Sequence, residues 1–139
     1  MVFLTEDDFK QQVKDEILTS ITGGDATLLN SAELRAIAQM TDALNVRYDV
    51  VNIFNKTGSN RNDGVVMRLV DMVLYHLHSR INPGQVPQLR ADRYADCMEW
   101  LQFVASGKFA PDLPLPAGTD EGTKLDVQYG GKPARNPYY

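Results

Sequence analysis

Two histidines and one cysteine are candidates for binding a metal ion or for catalysis, and their positions in the sequence decide between these possibilities. His76 and His78 are separated by one residue, so on an α-helix they point about 200° apart and cannot bind one metal ion together. The single cysteine, Cys97, excludes an internal disulfide and leaves too few ligands for an ordinary zinc site. We therefore expect no metal ion, no cofactor and no catalytic residues.

Cys97 has both a structural and a catalytic interpretation. It lies beside Met98 and Leu101 on the apolar face of a predicted helix, where a thiol is usually a small buried hydrophobic group. A Cys–His pair assembled in space is the catalytic alternative. The glycines of GSNRNDG and YGGK match neither a dinucleotide-binding nor a P-loop pattern. The sequence favours an inert, buried thiol and a protein that is not an enzyme.

The carboxylates fit structural roles better than acid–base chemistry. In TEDD, Thr5 and Asp8 have the spacing of a capping box at the start of a helix. Asp71 interrupts a very apolar helix, and a charge there needs a partner. Arg68, three residues earlier, or Arg47 on another helix could supply it. We predict a structural ion pair at Asp71, with a contact to a neighbouring subunit as the alternative.

Length and charge indicate one acidic domain with an extension. The 139 residues carry a net charge of −4, which disfavours a general nucleic-acid binder because such proteins need a clustered basic face. No apolar run approaches the ~18–20 residues that cross a bilayer, and the N-terminus lacks the pattern of a signal peptide. We expect a cytosolic protein without membrane contact.

Four helices are predicted from apolar residues at helical spacing. The first begins after Thr5 and continues to Ile21, and the second begins after a cap at Asn30 with Glu33 as its capping-box partner. The second would span residues 31–54, about 36 Å. The third covers residues 63–81 and the fourth residues 89–106, which Gly107 ends. The predicted fold is all-α: a four-helix body with one long helix, against which helices three and four pack as an antiparallel pair.

The composition changes after residue 110. Residues 111–139 hold five of the seven prolines and four of the ten glycines, and only KLDVQY (124–129) alternates like a short strand. Such a segment is often disordered when free and can become ordered on a sheet edge or groove of a partner. We predict a helical domain at residues 1–110 and an extended C-terminal arm at residues 111–139.

Three segments resemble a family of small helical proteins from Mu-like prophages. They are ALNVRYD (43–49), MRLVDMVLYHL (67–77) and RYADCMEWLQFVASGKF followed by LPLP (93–116). The family is similar to the head–tail connector, or adaptor, proteins of tailed phages, which form a ring beneath the portal and join capsid to tail. One departure follows the pair Arg47 and Tyr48. The family often has a Pro-Leu-Pro loop at this place, whereas residues 49–63 of this chain are predicted to continue the helix and then form a polar loop.

The resemblance implies a structural subunit of a connector ring in the virion, assembled in the host cytoplasm. Its expected partners are further copies of itself, the portal protein and a tail or stopper protein, while DNA passes an acidic ring without specific binding. Two alternatives are a small cytosolic helical protein-binding or regulatory module and a hydrolase or transferase. The candidate interface residues are Arg47, Tyr48, Trp100, Phe103, Leu113, Leu115, Tyr129, Tyr138 and Tyr139.

Overall fold

The computed structural model describes residues 1–117. Within them the chain forms six α-helices and two short 3-10 helices, without a strand, so the predicted all-α class is confirmed. The α-helices are α1 (Glu6–Lys10), α2 (Asp15–Thr22), α3 (Ala26–Leu44), α4 (Val50–Phe54), α5 (Asp63–Ile81) and α6 (Gln88–Ala105). None of them is long and apolar enough to span a membrane. The possible strand at residues 124–129 lies outside this range.

The helix α5 is the centre of the body. It packs against α3 and α6, which also contact each other. It is buried on several sides, as its broad apolar stripe predicts, whereas α3 and α6 each bury a single face. Asp71 of α5 lies near Arg90 of α6, and Arg68 lies near Trp100, so the two helices run antiparallel as predicted. The buried core residues of the three helices are Ala32, Ala36, Met40, Leu44, Val65, Leu69, Val70, Met72, Val73, Leu74, Leu77, Cys97, Leu101 and Val104.

The predicted first helix is divided into α1 and α2. The capping box is present, since Thr5 N–H donates to Asp8 Oδ2 at 2.7 Å. The break follows from Gln12, whose side-chain amide donates to the Met67 carbonyl at 3.1 Å and whose own carbonyl accepts from Arg90 at 3.4 Å. In an uninterrupted helix that carbonyl would bond along the helix axis instead. The change of direction leaves Ile17, an apolar residue of the predicted first helix, exposed to solvent.

The predicted long second helix is also divided. Asp25, rather than Asn30, caps α3 by accepting from Thr27 N–H at 2.8 Å, and α3 ends at Leu44. The chain then turns, and Asp49 begins α4 by accepting from Asn52 N–H at 3.2 Å. The Asp49 N–H itself donates to the Pro114 carbonyl at 2.9 Å. A helix continued through Asp49 could not make this contact, so the predicted 36 Å rod does not form.

Glu33 has a different role from the predicted capping box. Its side chain is 1% exposed, and its carboxylate accepts the backbone N–H groups of Val2, Phe3 and Leu4 at 2.9, 2.9 and 2.7 Å. These three donors precede α1 and have no helical partners. Glu33 therefore holds the N-terminal segment against the middle of the body.

The first residues of the predicted arm pack on the helical body. Leu113 is only 5% exposed, and Leu115 packs against the core. Besides the Asp49–Pro114 hydrogen bond, the side-chain amide of Asn62 donates to the Asp112 carbonyl at 3.3 Å. Residues 112–115 therefore contact the helical body, although the sequence pattern changes after residue 110.

Candidate interaction surfaces

The end of α6 carries a cluster of aromatic side chains, which we call the aromatic patch: Trp100, Phe103 and Phe109. Gly107 follows the helix with a φ of 82°, the left-handed conformation expected of a glycine at this position. This bend allows the N–H groups of Lys108 and Phe109 to bond the Phe103 carbonyl at 2.9 and 3.2 Å. Phe109 is thereby turned back toward α6, with its ring centroid 6.5 Å from that of Trp100.

Trp100 lies between the core and the surface. The Arg68 guanidinium stacks on one face of the indole, 4.2 Å from the ring centroid, so Trp100 covers part of α5. Its indole N–H is buried without a hydrogen-bond partner in the described part of the chain. The exposed part of the patch is Phe103 and Phe109, at 41% and 47% exposure. Phe103 is one of the interface candidates predicted from the sequence, whereas Phe109 is not, because its only sequence signal is its place just after a helix-ending glycine.

Arg47 and Tyr48 connect the turn after α3 to the rest of the body. Arg47 is half-buried, and its Nε donates to the Ala105 carbonyl at 3.0 Å, near the end of α6. Tyr48 is 3% exposed and packs in the core. Both side chains therefore have contacts within the chain, and Tyr48 presents almost no surface to a neighbour.

Leu113 and Leu115 are similarly turned toward the body, so they anchor the C-terminal segment rather than project from it. Tyr129, Tyr138 and Tyr139 lie outside the described residues. Of the six candidate interface residues that the structure describes, Phe103 is the one with a large, exposed apolar side chain. Their roles at an interface stay predictions.

A cleft of about 480 Å³ lies where α1 and the α1–α2 connection meet α5 and α6. Its apolar lining comes mainly from α5, and its charged lining comes from α1, α5 and α6. The lining residues are Asp8, Gln11, Gln12, Asp63, Val66, Met67, Val70, Leu89, Arg90 and Arg93. We call this feature the arginine cleft. Nothing in the sequence pattern identified it, because its three walls are distant in sequence.

The predicted ion pair at Asp71 lies behind the arginine cleft. Asp71 Oδ1 is 3.5 Å from Arg90 Nη1 and 3.7 Å from Arg93 Nη1. The pair is therefore structural, as predicted, but the expected partners Arg68 and Arg47 are engaged elsewhere. Burial raises the pKa of Asp71 even though the arginines oppose that shift, and burial lowers the pKa of Arg90.

The remaining reactive groups are enclosed by the helices. Burial raises the pKa of the Cys97 thiol to about 12, and its Sγ lies 3.6 Å from the Arg68 carbonyl oxygen. His76 Nε2 is 2.6 Å from Gln39 Oε1, and burial lowers the pKa of its imidazole. Within residues 1–117, no group of three or more His, Cys, Asp or Glu side chains is arranged to hold a metal ion.

Comparison with known proteins identifies one family. Residues 3–128 match the sequence profile of the family described as "Bacteriophage Mu, Gp36". No curated protein and no solved structure matches the chain. The matched region contains the aromatic patch, the arginine cleft and the anchored Leu113 segment.

Proposed function

This chain belongs to the bacteriophage Mu Gp36 family and is a phage protein, and we propose that it is a structural subunit of a head–tail connector, or adaptor, ring. In this role, copies of the chain form a ring that joins the portal to the tail. The observation that carries the proposal is that residues 112–115, which precede the C-terminal residues 118–139, are fixed on the helical body. A ring subunit needs a rigid body and a means of holding its neighbours, and this arrangement suits both.

The exit point is held by contacts of two kinds. Leu113 is buried in the body, and the Pro114 carbonyl accepts the Asp49 N–H at 2.9 Å. The residues that follow therefore start from a defined position. Residues 118–139 could extend at most roughly 70–80 Å from it, enough to reach across an adjacent subunit of this size. If residues 118–139 bind a neighbouring subunit, the contacts of Leu113 and Pro114 keep that interaction connected to the helical body.

The exposed aromatic side chains support a role in assembly. Phe103 and Phe109 lie together on the surface at the end of α6, beside Lys108, whose Nζ is 5.6 Å from the Phe103 ring centroid. Aromatic residues are enriched at the buried centres of protein interfaces. We propose that the aromatic patch contacts a further copy, the portal protein or a tail or stopper protein in the virion.

The role proposed here is structural rather than catalytic, and DNA would pass the ring without specific binding. The net charge of −4 favours repulsion between the chain and the phosphate backbone. Cys97, the side chain best suited to act as a nucleophile, has its pKa raised to about 12 by burial, so it is almost entirely protonated at neutral pH.

The test is quantitative mass spectrometry of purified phage particles that encode this chain. We expect its peptides at a fixed copy number relative to the portal protein, which serves as the internal standard for a ring. A non-structural phage protein measures carry-over from the lysate. A chain that is abundant in the lysate but absent from particles would refute the connector role and favour a regulatory module that acts outside the virion.

A pair of variants tests whether incorporation of the chain into phage particles depends on the aromatic patch. Phe103→Ser removes an exposed apolar side chain, and Gln102→Ser changes its exposed neighbour as the matched control. In a phage supplied with each variant, we expect Phe103→Ser to lower incorporation into particles and Gln102→Ser to leave it unchanged. Equal incorporation of both would exclude the patch from the assembly interface.

A further inference from the structure

The arginine cleft contains a buried guanidinium whose hydrogen bonds are all long. Arg90 is 7% exposed and donates to Gln12 Oε1 at 3.4 Å, to the Gln12 carbonyl at 3.4 Å and to Asp71 Oδ1 at 3.5 Å. Good N–H···O bonds are about 2.7–3.2 Å long, and those of a guanidinium to a carboxylate are usually at the short end. Within the described residues, Arg90 is therefore weakly coordinated for a buried cation.

Arg90 and Arg93 both contact one carboxylate, that of Asp71, although Asp8 and Asp63 also line the cleft. Asp8 is already paired with Arg61 through contacts of 2.6 and 3.1 Å. The Arg93 side chain is 43% exposed, so a second carboxylate could reach it from solvent. Such a carboxylate would supply the charge that one aspartate cannot supply to two guanidinium groups.

The rest of the cleft is apolar. Val66, Met67 and Val70 of α5 and Leu89 of α6 line it, and Met67 and Leu89 are about half exposed. A polar anion alone would leave this surface uncovered. The lining fits a peptide that offers apolar side chains on one side and an acidic side chain on the other.

The sequence KLDVQY (124–129) has this alternation. In an extended chain, Leu125, Val127 and Tyr129 would point to one side and Lys124, Asp126 and Gln128 to the other. We propose that residues 124–129 of a neighbouring copy bind in the arginine cleft, with Asp126 on Arg93 and Arg90 and the apolar side chains against α5 and Leu89. Lys124 carries a charge complementary to Asp63, which also lines the cleft.

The course of the chain favours a neighbouring copy over the same one. The Asp112 carbonyl lies against Asn62, next to the cleft residue Asp63, whereas Pro114 lies against Asp49, which does not line the cleft. Between residues 112 and 114, the described chain thus passes from a contact beside its own cleft to a contact outside the cleft lining. The inference rests on the proposed function in one respect: the neighbouring copy is the adjacent subunit of the ring.

The test uses the full-length chain labelled with 15N and measured by NMR over serial dilution. We expect the amide signals of Met67, Leu89 and Arg93 and those of residues 125–129 to shift together with concentration. Asp126→Asn and Arg93→Gln should each weaken self-association by about tenfold or more, because each removes one partner of a desolvated charge pair. Arg93 is preferred to Arg90 because its partial exposure makes misfolding of the variant less of a concern.

Two control variants change charges away from the proposed contact. Asp120→Asn neutralises an acid outside residues 124–129, and Arg80→Gln neutralises an exposed arginine of α5 that does not line the cleft. Both should leave self-association unchanged. Circular dichroism melting shows whether each variant keeps the fold.

A mixing experiment separates contact between copies from contact within one chain. Labelled Arg93→Gln chain retains an intact segment, and unlabelled Asp126→Asn chain retains an intact cleft. We expect the 125–129 signals of the labelled chain to shift only when the two are mixed. Signals independent of concentration, cleft contacts that persist on dilution, or self-association insensitive to Asp126→Asn would each overturn the inference.

The NMR test of self-association does not depend on whether mass spectrometry finds the chain in phage particles. Self-association through the cleft by a chain absent from particles would refute the connector role alone. A chain present in particles that does not use the cleft would refute this contact alone.

Discussion

Leu4 donates its backbone N–H to Glu33 Oε1 at 2.7 Å, across 29 residues of sequence. The same carboxylate binds the N–H groups of Val2 and Phe3, so one buried side chain satisfies three consecutive backbone donors. Phe3 then packs edge-to-face against Phe54, with the ring centroids 5.2 Å apart. Glu33 thus joins the N-terminal segment, α3 and α4.

We predict that Glu33→Gln lowers the free energy of unfolding by about 1–3 kcal/mol, because the amide replaces an acceptor oxygen with a donor that faces backbone N–H groups. Chemical denaturation measures the change. Asp42→Asn, at an exposed acid of the same helix, is the control and should be close to neutral. Hydrogen exchange at Phe3 and Leu4 should accelerate in Glu33→Gln; unchanged exchange there would contradict the role assigned to Glu33.

We predict that Asp71→Asn lowers the free energy of unfolding by about 3–5 kcal/mol, because Arg90 then remains buried without an anionic partner. Thermal and denaturant melting measure the loss. Asp96→Asn, at an exposed position of α6, controls for the change in net charge. A loss no larger than that of the control would show that Arg90 finds another partner or reaches solvent.

We predict that the chain tolerates truncation after Ala117 but not after Ala110. The shorter chain loses the buried Leu113 and the acceptor of the Asp49 N–H, whereas the longer one keeps both. Leu113→Ala in the full chain should cost about 2–4 kcal/mol by leaving a cavity. Denaturant melting of the two truncated chains and of Leu113→Ala tests this. Equal stability of the two truncated chains would show that the segment contributes nothing to the body.

We predict that acidification destabilises the protein partly through His76. Burial, aided by the positive charge of Arg35, holds the pKa of His76 below its ordinary value, so the unfolded chain binds a proton more readily than the folded one. This contribution to stability is complete above about pH 6.5 and is lost as the pH falls through the folded pKa. His78, whose pKa burial also lowers, acts in the same direction.

The measurement is the melting temperature as a function of pH for the wild type and His76→Gln. The decrease between neutral and mildly acidic pH should be smaller in the variant, and smaller again when His78→Gln is added. NMR titration of the imidazole gives the pKa directly. A His76 pKa above its ordinary value would contradict the prediction.

Features that depend on neighbouring residues were predictable from the sequence. The bounds of α5, the capping box at Thr5 and Asp8, the inward face of α6 and the left-handed Gly107 all follow from residue types a few positions apart. Each is determined within about one or two helical turns. Helical periodicity, caps and glycine geometry act over this distance.

The arginine cleft was not predictable in the same way. Asp71 had a plausible partner in Arg68 at helical spacing, and only the antiparallel packing of α5 and α6 shows that Arg90 and Arg93 occupy that place instead. Arg68 is drawn to the face of Trp100. Which arginine pairs with Asp71 depends on which helix packs against α5, and the helical periodicity of the sequence contains no information about that packing.

The sequence by itself therefore determined that this chain is helical, which faces of α5 and α6 are buried and which phage family its segments resemble. The tertiary structure decided where the helices break, because the Gln12 carbonyl and the Asp49 N–H form hydrogen bonds with residues more than 50 positions away instead of with helical neighbours. It also decided that Glu33 serves the N-terminus and that Leu113 joins the body. The local sequence around Glu33 is the same whether its side chain caps a helix or binds the N-terminal backbone, and the sequence around Leu113 is the same whether it packs on the body or lies in an arm. Only the partners that folding brings together distinguish these roles.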